Sequence, residues 1–105
     1  LFYLSEERLA QTGKYPRGLD WVLEIVSGSK EDRKRDFITK RREYAKAGIR
    51  EYWIVDPKYH AIHVLALNEE TKSYVEHGKF TLEHKATSVM FTGFSVAVSE
   101  VFKKR

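Results

Sequence analysis

The pattern of apolar and polar positions predicts a strand, a long helix and a second strand in the first half of the chain. Residues 21–26 read WVLEIV, an apolar run interrupted only by Glu24, which predicts a central strand covered on both faces. Residues 30–47 are largely polar, with apolar side chains recurring at steps of three and four, which predicts a helix. Residues 49–55 follow as a second strand, apolar at 52–55, and a crossover helix of this length predicts that the two strands are parallel.

Both ends of the predicted helix carry capping residues. Ser29 suits the N-cap position with Asp32 at N3, and Gly48 suits the positive φ of the position after the last turn. One side of the helix is predicted to carry Phe37, Arg41, Tyr44 and Ala45 or Gly48, and an adjoining stripe Asp36, Lys40, Tyr44 and Ala47.

The second half of the chain changes to a period of two, which predicts antiparallel strands. The predicted elements are a hairpin of strands at 60–67 and 74–77, short edge elements at 80–82 and 88–91, and a last helical turn or two within 96–102. Upstream, 1–4 is predicted as the end of a strand and 5–11 as a short helix. The expected fold is α/β, a mixed sheet with a strand-helix-strand unit and an antiparallel C-terminal extension.

Length and composition limit the function classes. The chain has 105 residues, 42% of them hydrophobic, which fits one globular domain spanning 1–105. With no cysteine, a disulfide framework, a thiolate zinc site and a cysteine nucleophile are excluded. The apolar runs are too short to span a membrane, and we expect a cytoplasmic protein with no membrane partner. Because the chain opens on Leu1 within a strand-like tetrapeptide, we expect it to be N-terminally truncated.

Positive charge is concentrated on the predicted helix. Residues 30–50 contain nine Lys or Arg against four acidic residues, whereas the net charge of the whole chain is +4. Such a run is typical either of a surface that contacts a phosphate backbone or of a solvated helix face, and the sequence leaves both interpretations open.

The position of Glu24 in an apolar strand needs an explanation, because Glu is rarely buried in a strand unless it is paired or bound to a metal. The histidines predict no metal site: His60 and His63, three apart in a strand, fall on opposite faces, and His77 and His84 are isolated.

Three segments together resemble a known family. They are LDWVLEIVSGS, then Asp36, Lys40, Tyr44 and Gly48 at steps of four, then EYWIVDP. This combination resembles the Uma2 family of restriction-endonuclease-like proteins, within the PD-(D/E)XK nuclease superfamily, whose pattern reads PDLVVEVLSPS, D-x3-K-x3-Y-x3-G and EYWLVDP. The chain departs from it at Leu19 and Gly28, where the family has proline. The resemblance is clear over 1–67, is looser over 88–94, and implies a restriction-endonuclease-like core.

The resemblance also implies a function, a metal-dependent DNA endonuclease using Mg²⁺ or Mn²⁺ to hydrolyse phosphodiester bonds. Glu24 matches the glutamate of the E-x-K half-motif and becomes the expected metal ligand and catalytic residue. Val26 occupies the lysine position of that half-motif, so Lys40 is the candidate for a lysine that has migrated to the helix. We expect the side-chain tips of Glu24 and Lys40 within hydrogen-bond or water-bridged distance, because an uncompensated buried carboxylate would be strongly destabilising. The accessory candidates are Asp20, Asp36 and Tyr44, and DNA is the expected partner of the basic helix.

A second carboxylate ligand is harder to find. Asp20 precedes Glu24 by four residues, about 13 Å along an extended strand at ~3.3 Å per residue, too far to share one ion. The resemblance places the metal-binding aspartate in a Pro-Asp pair upstream of a segment like 1–4. We therefore expect the 105-residue chain to lack nuclease activity, and a chain extended upstream to restore that pair to nick DNA. The alternative is a non-catalytic nuclease-fold remnant that binds nucleic acid or protein. A homodimer is a further expectation, with Trp53 as a contact if its strand lies at an edge.

Overall fold

The computed structural model describes residues 2–3, 21–26 and 28–103. Its strands are β1 (Phe2–Tyr3), β2 (Trp21–Ile25), β3 (Glu51–Asp56), β4 (Ala61–Asn68), β5 (Ser73–Phe80), β6 (Lys85–Thr87) and β7 (Ser95–Ala97). One long helix follows β2 and consists of α1 (Lys30–Lys34), a π-helical segment (Arg35–Thr39) and α2 (Lys40–Lys46). A short helix, α3 (Val98–Val101), follows β7.

The main sheet has five strands in the order β1-β2-β3-β4-β5. Strands β2 and β3 are parallel, with Trp21 opposite Glu51 and Ile25 opposite Val55, and the other neighbouring pairs are antiparallel. The predicted parallel crossover, the antiparallel hairpin and the mixed α/β fold are therefore confirmed. The middle strand is β3, however, and not the 21–26 strand that the sequence placed at the centre.

Both faces of the sheet are covered, as the uninterrupted apolar runs predict. The long helix packs on one face. The buried side chains of the core between them are Val22, Val26, Ala45, Ile49, Tyr52, Ile54, Leu65 and Tyr74. The small β6–β7 sheet and α3 cover the other face. The buried side chains of that core are Trp21, Trp53, Val55, Ile62, Val64, Ala86 and Val98. Trp53 is a core residue of the middle strand, 1% exposed, so the condition for a dimer contact through Trp53, an edge strand, is not met.

The caps that position the long helix are the predicted ones. The Ser29 side chain accepts a hydrogen bond from the Asp32 amide at 3.1 Å. At the other end Gly48 has φ +81°, its N–H donates to the Ala45 carbonyl, and the Ile49 N–H donates to the Tyr44 carbonyl. These two bonds form a Schellman motif, which turns the chain directly into β3.

The π-helical segment is a feature that the sequence pattern did not predict. Within it the Lys40 amide donates to the Arg35 carbonyl, five residues back rather than four. The Tyr52 hydroxyl, on β3, donates to the Asp36 carbonyl at 3.1 Å. The wider turn lies between Asp36 and Lys40, so it sets how their side chains are offset on the helix surface.

Predictions for the C-terminal third are partly wrong. Phe80 ends β5, the next strand is 85–87, and 88–91 forms turns instead of an edge element. The helical turn predicted within 96–102 is confirmed as α3, and the residues just before it form β7. The physical reason for the first difference is Glu51, whose carboxylate binds the amides of Val89 and Met90 and holds them in a turn.

At the N-terminus, β1 falls within the predicted 1–4 strand, whereas the predicted helix at 5–11 lies outside the described residues. Within the described ranges, no helix has both the length and the apolar character needed to cross a membrane.

Candidate active site at the helix and strand interface

Glu24 lies under the long helix, in contact with two of its side chains. The Lys40 ammonium and the Tyr44 hydroxyl both donate to Glu24 Oε2, the latter at 3.0 Å. The three meet because Glu24 shares the helix-facing side of β2 with Val22, while Lys40 and Tyr44 lie one turn apart on the same helix stripe. The predicted contact between Glu24 and Lys40 is confirmed. Glu24 is only partly buried, however, with its side chain 21% exposed, and not fully buried as its apolar run indicated.

Asp36 extends this cluster on the other side of Lys40. Its Oδ1 lies 3.4 Å from the Lys40 Nζ, as an ion pair, while its side chain is only 4% exposed. That buried oxygen has no well-formed hydrogen bond within the described part of the chain, and the Arg35 Nε is 3.9 Å away. The ammonium of Lys40 therefore lies between two carboxylates, one from β2 and one from its own helix.

The environment fixes the charges of the central pair. Burial acts to raise the pKa of Glu24, but the hydrogen bonds from Lys40 and Tyr44 and the charge of Lys40 outweigh it and lower the pKa below 4.5. Burial acts to lower the pKa of Lys40, but Glu24 and Asp36 outweigh it and raise the pKa above 10.5. At neutral pH Glu24 is a carboxylate and Lys40 an ammonium. Lys40 can therefore donate hydrogen bonds to an anionic oxygen but cannot accept a proton.

Two tyrosines, Tyr44 and Tyr52, connect the cluster to the core. The rings of Tyr44 and Tyr52 meet edge to face with centroids 5.0 Å apart. Burial, together with the charges of Asp36 and Glu24, raises the pKa of Tyr52, so its hydroxyl stays protonated as the donor to the Asp36 carbonyl. Tyr44 thus has its ring fixed by the core while its hydroxyl orients Glu24.

Comparison with known proteins identifies the fold that carries this cluster. The model of the Uma2 family, described as "Putative restriction endonuclease", matches residues 1–99. This chain belongs to the Uma2 family. No curated protein matches its sequence.

The Uma2 chain is also similar in fold to the crystal structure of a "putative nuclease belonging to DUF820" from Anabaena variabilis. The TM-score is 0.57 and the sequence identity 19%, over 82% of this chain and 45% of that one. The chain thus spans under half the length of the structure it resembles. The predicted family and the restriction-endonuclease-like fold are confirmed.

Glu24 has the donor chemistry that a divalent metal needs in a nuclease of this family. Lys40 and Tyr44 both bind its Oε2, so among the contacts of the described residues Oε1 is left for a cation. Mg²⁺ is commonly held by one or two carboxylates, completed by waters and substrate phosphates. Asp36 faces Lys40, and the described ranges contain no group of three or more His, Cys, Asp or Glu side chains suited to a metal. Asp20, the other accessory candidate, lies outside them.

The histidines are separated as predicted. The His60 ring packs against Phe102 on the α3 side of the sheet, whereas His63 packs against Phe37 of the long helix. His63 also binds the Glu76 carboxylate at 2.8 Å. None of these arrangements resembles a metal site.

The sequence analysis did not identify the ion pair that holds the long helix on the sheet. The two terminal nitrogens of Arg33 donate to the two oxygens of Asp56, each at 2.8 Å, and these hydrogen bonds lower the pKa of Asp56 below 3.8 despite its burial. The Arg33 guanidinium also lies over the rings of Phe37 and Tyr59. This pair joins α1 to the end of β3 and so fixes the helix register that brings Lys40 to Glu24. The signal in the sequence was an acid that closes an apolar strand.

Glu51 is a second buried carboxylate that the sequence analysis did not single out. It is 1% exposed and accepts four hydrogen bonds, from the Trp53 indole, the Ser88 hydroxyl, and the Val89 and Met90 amides, at 2.7–2.9 Å. Its contacts all lie on the face of the sheet away from Glu24. Its role is to hold the 88–91 turns against β3, not to serve the candidate site.

Proposed function

We propose that this chain carries the hydrolytic site of a metal-dependent DNA endonuclease, built on Glu24, Lys40 and Tyr44. Membership of a family described as restriction endonucleases supports the nuclease class. The observation that carries the proposal is the contact of a helix lysine with a strand glutamate, because this pairing brings the two residue types of the E-x-K half-motif together from different elements.

Each residue has a distinct role in the proposal. Glu24 would hold Mg²⁺ or Mn²⁺ through Oε1, and the bound cation would polarise the phosphate and lower the pKa of a water. Lys40, ionised at neutral pH, would donate to a phosphoryl oxygen and stabilise the charge that develops there. Tyr44 positions the Glu24 carboxylate, and Asp36 positions the Lys40 ammonium.

DNA is the proposed substrate because the long helix is rich in exposed cations. Exposed Lys or Arg side chains are Lys30, Lys34, Arg35, Arg42 and Lys46. Such side chains contact phosphates and give binding that weakens as salt rises, with little sequence preference. We expect no strong base readout, because no described element has the character of a recognition helix.

The second candidate function is a non-catalytic nuclease-fold module that binds nucleic acid or a protein. The observation that favours it is the pairing of Lys40, whose ammonium is engaged by Glu24 and Asp36 together. An ammonium held between two carboxylates already neutralises much of the charge that would attract a metal. Cation binding therefore discriminates between the two functions.

The test is calorimetric titration with Mn²⁺ or Mg²⁺ on the wild type and on the Glu24→Gln, Lys40→Met and Asp36→Asn variants. Plasmid nicking is measured with the same variants in a chain extended upstream by a Pro-Asp pair, because the 105-residue chain is expected not to nick DNA. The matched control is Glu76→Gln, a carboxylate 46% exposed on β5. Weak cation binding that only Glu24→Gln abolishes, with nicking lost in both Glu24→Gln and Lys40→Met, supports the hydrolytic site. Loss of nicking in Asp36→Asn as well would make Asp36 part of it.

Two outcomes contradict the proposal. Cation binding that persists in Glu24→Gln places the metal elsewhere. Absence of both cation binding and nicking, while DNA binding remains, supports the non-catalytic module.

A further inference from the structure

We propose that a groove between the long helix and the start of β5 is a second binding site for the DNA phosphate backbone, separate from the Glu24 cluster. The groove is open and has a volume of about 420 Å³. Its cations are Arg41, Arg42 and Lys72, and its apolar side chains include Phe37, Ile38 and Tyr74. None of the described residues that line it is acidic.

The cations of the groove differ in their pairing from three other cations of the long helix. Arg33, Arg35 and Lys40 each form an ion pair with a carboxylate. Over the described ranges, no ion pair engages Arg41 or Arg42, nor Lys72 on the facing turn. Three positive charges from two separate elements therefore line one groove, and none of the described residues that line it is acidic. This arrangement is complementary to a polyanion.

The groove is also fixed in shape. Arg41 donates to the Tyr74 carbonyl at 3.2 Å, which ties the helix to β5 and holds the guanidinium at the wall of the groove. On the opposite wall Lys72 has a positive φ of 54°, and its amide donates to the Asn68 carbonyl, so the turn that presents it is closed. Little backbone freedom would therefore be lost when a phosphate binds there.

Position favours a nucleic acid over a small anion. Arg41 follows Lys40 directly, so the groove and the Glu24 cluster lie on adjacent flanks of one helix. A helix with its side chains is about 10–12 Å wide, and one DNA strand carries a charge every ~3.4 Å along the axis. A short stretch of one strand would therefore reach from one flank of the helix to the other. Ile38, 49% exposed beside Arg42, offers an apolar contact for a sugar.

This inference rests on the proposed function only in taking DNA as the partner. It needs neither the metal nor the chemistry at Glu24. The measurement is therefore fluorescence anisotropy of a labelled duplex of about 20 base pairs over a salt series in EDTA, where a metal-dependent site is silent.

The test variant is the double substitution Arg42→Glu with Lys72→Glu, both at exposed positions. The matched control is Lys79→Glu with Lys85→Glu, exposed cations outside the groove that give the same change of net charge. We expect the test variant to bind at least about tenfold more weakly, with the salt slope reduced by about two, and the control to lose less than about threefold. Circular dichroism and urea midpoints verify that both fold.

Three results would overturn the inference: no duplex binding by the wild type, equal losses in both double variants, or saturable binding of inorganic phosphate in place of duplex. The inference and the proposed function fail separately. The groove variant should keep the cation binding that Glu24 provides, and its weaker duplex binding in EDTA does not depend on that cation.

Discussion

Lys40→Met should destabilise the protein more than Glu24→Gln, although the two residues form one ion pair. Removing Lys40 leaves two carboxylates, one of them 4% exposed, without their shared cation. Glu24→Gln is milder, because the amide oxygen of Gln can still accept from Lys40 and Tyr44, and Lys40 keeps Asp36 as its counter-ion.

The structure sets the size of the difference. A hydrogen bond to a charged group contributes about 1.5–3 kcal/mol, and removing one partner of a buried pair costs about 3–5 kcal/mol. Because the side chains of Lys40 and Glu24 are 28% and 21% exposed, their pair belongs at the lower end. We expect a loss of about 2–4 kcal/mol in the free energy of unfolding for Lys40→Met, and about 1 kcal/mol for Glu24→Gln.

The assay is urea unfolding at neutral pH, followed by the fluorescence of Trp21 and Trp53, both core residues. Lys46→Met, at an exposed position of the same helix, is the control for loss of a lysine and should change stability by no more than about 0.5 kcal/mol. A Glu24→Gln variant that loses as much stability as Lys40→Met would refute the shared-cation reasoning. It would mean that Asp36 gains nothing from Lys40.

Two further predictions concern the other carboxylates. Glu51→Gln should lower the free energy of unfolding by about 3 kcal/mol or more, since an amide cannot accept from all four donors of Glu51. The control, Glu76→Gln, should change it by about 0.5 kcal/mol. Urea unfolding measures both. The pKa values of Glu24 and Asp56 lie below the ordinary 4.5 and 3.8, so the stability they contribute is present above those values and is lost as pH falls through the folded-state pKa values. The acid limb of the urea midpoint should be shallower in Glu24→Gln; an unchanged limb would contradict this.

Much of the fold was predictable because local signals agreed with tertiary packing. Ser29 and Gly48 fixed the ends of the helix, and the apolar runs on either side of it fixed two parallel strands. The contact between Glu24 and Lys40 was also predictable, because a carboxylate in an apolar strand needs a partner and the helix stripe offered one.

The π-helical segment and the partners of the buried acids were not predictable in the same way. Asp56 and Glu51 owe their burial to donors 23 and 37–39 residues distant, which periodicity cannot reveal. The π turn depends on tertiary contacts such as the Tyr52 hydroxyl at the Asp36 carbonyl, which compensates a local cost. The short strand β6 has too few residues for its alternation to be recognised.

The cations of the basic helix are of two kinds, those paired with carboxylates and those with no ion pair in the described structure. The sequence had left two interpretations of the whole helix open, a phosphate-binding surface and a solvated face. Arg33 and Lys40 are bound to carboxylates of β3 and β2, so engaging an external anion through them would compete with contacts that hold the helix on the sheet. Arg41 and Arg42 have no such ion pair in the described structure, and binding through them would leave those contacts intact. Charge count alone therefore overstates the surface open to DNA, and binding on the flank facing β5 would not compete with the ion pairs that hold the helix on the sheet.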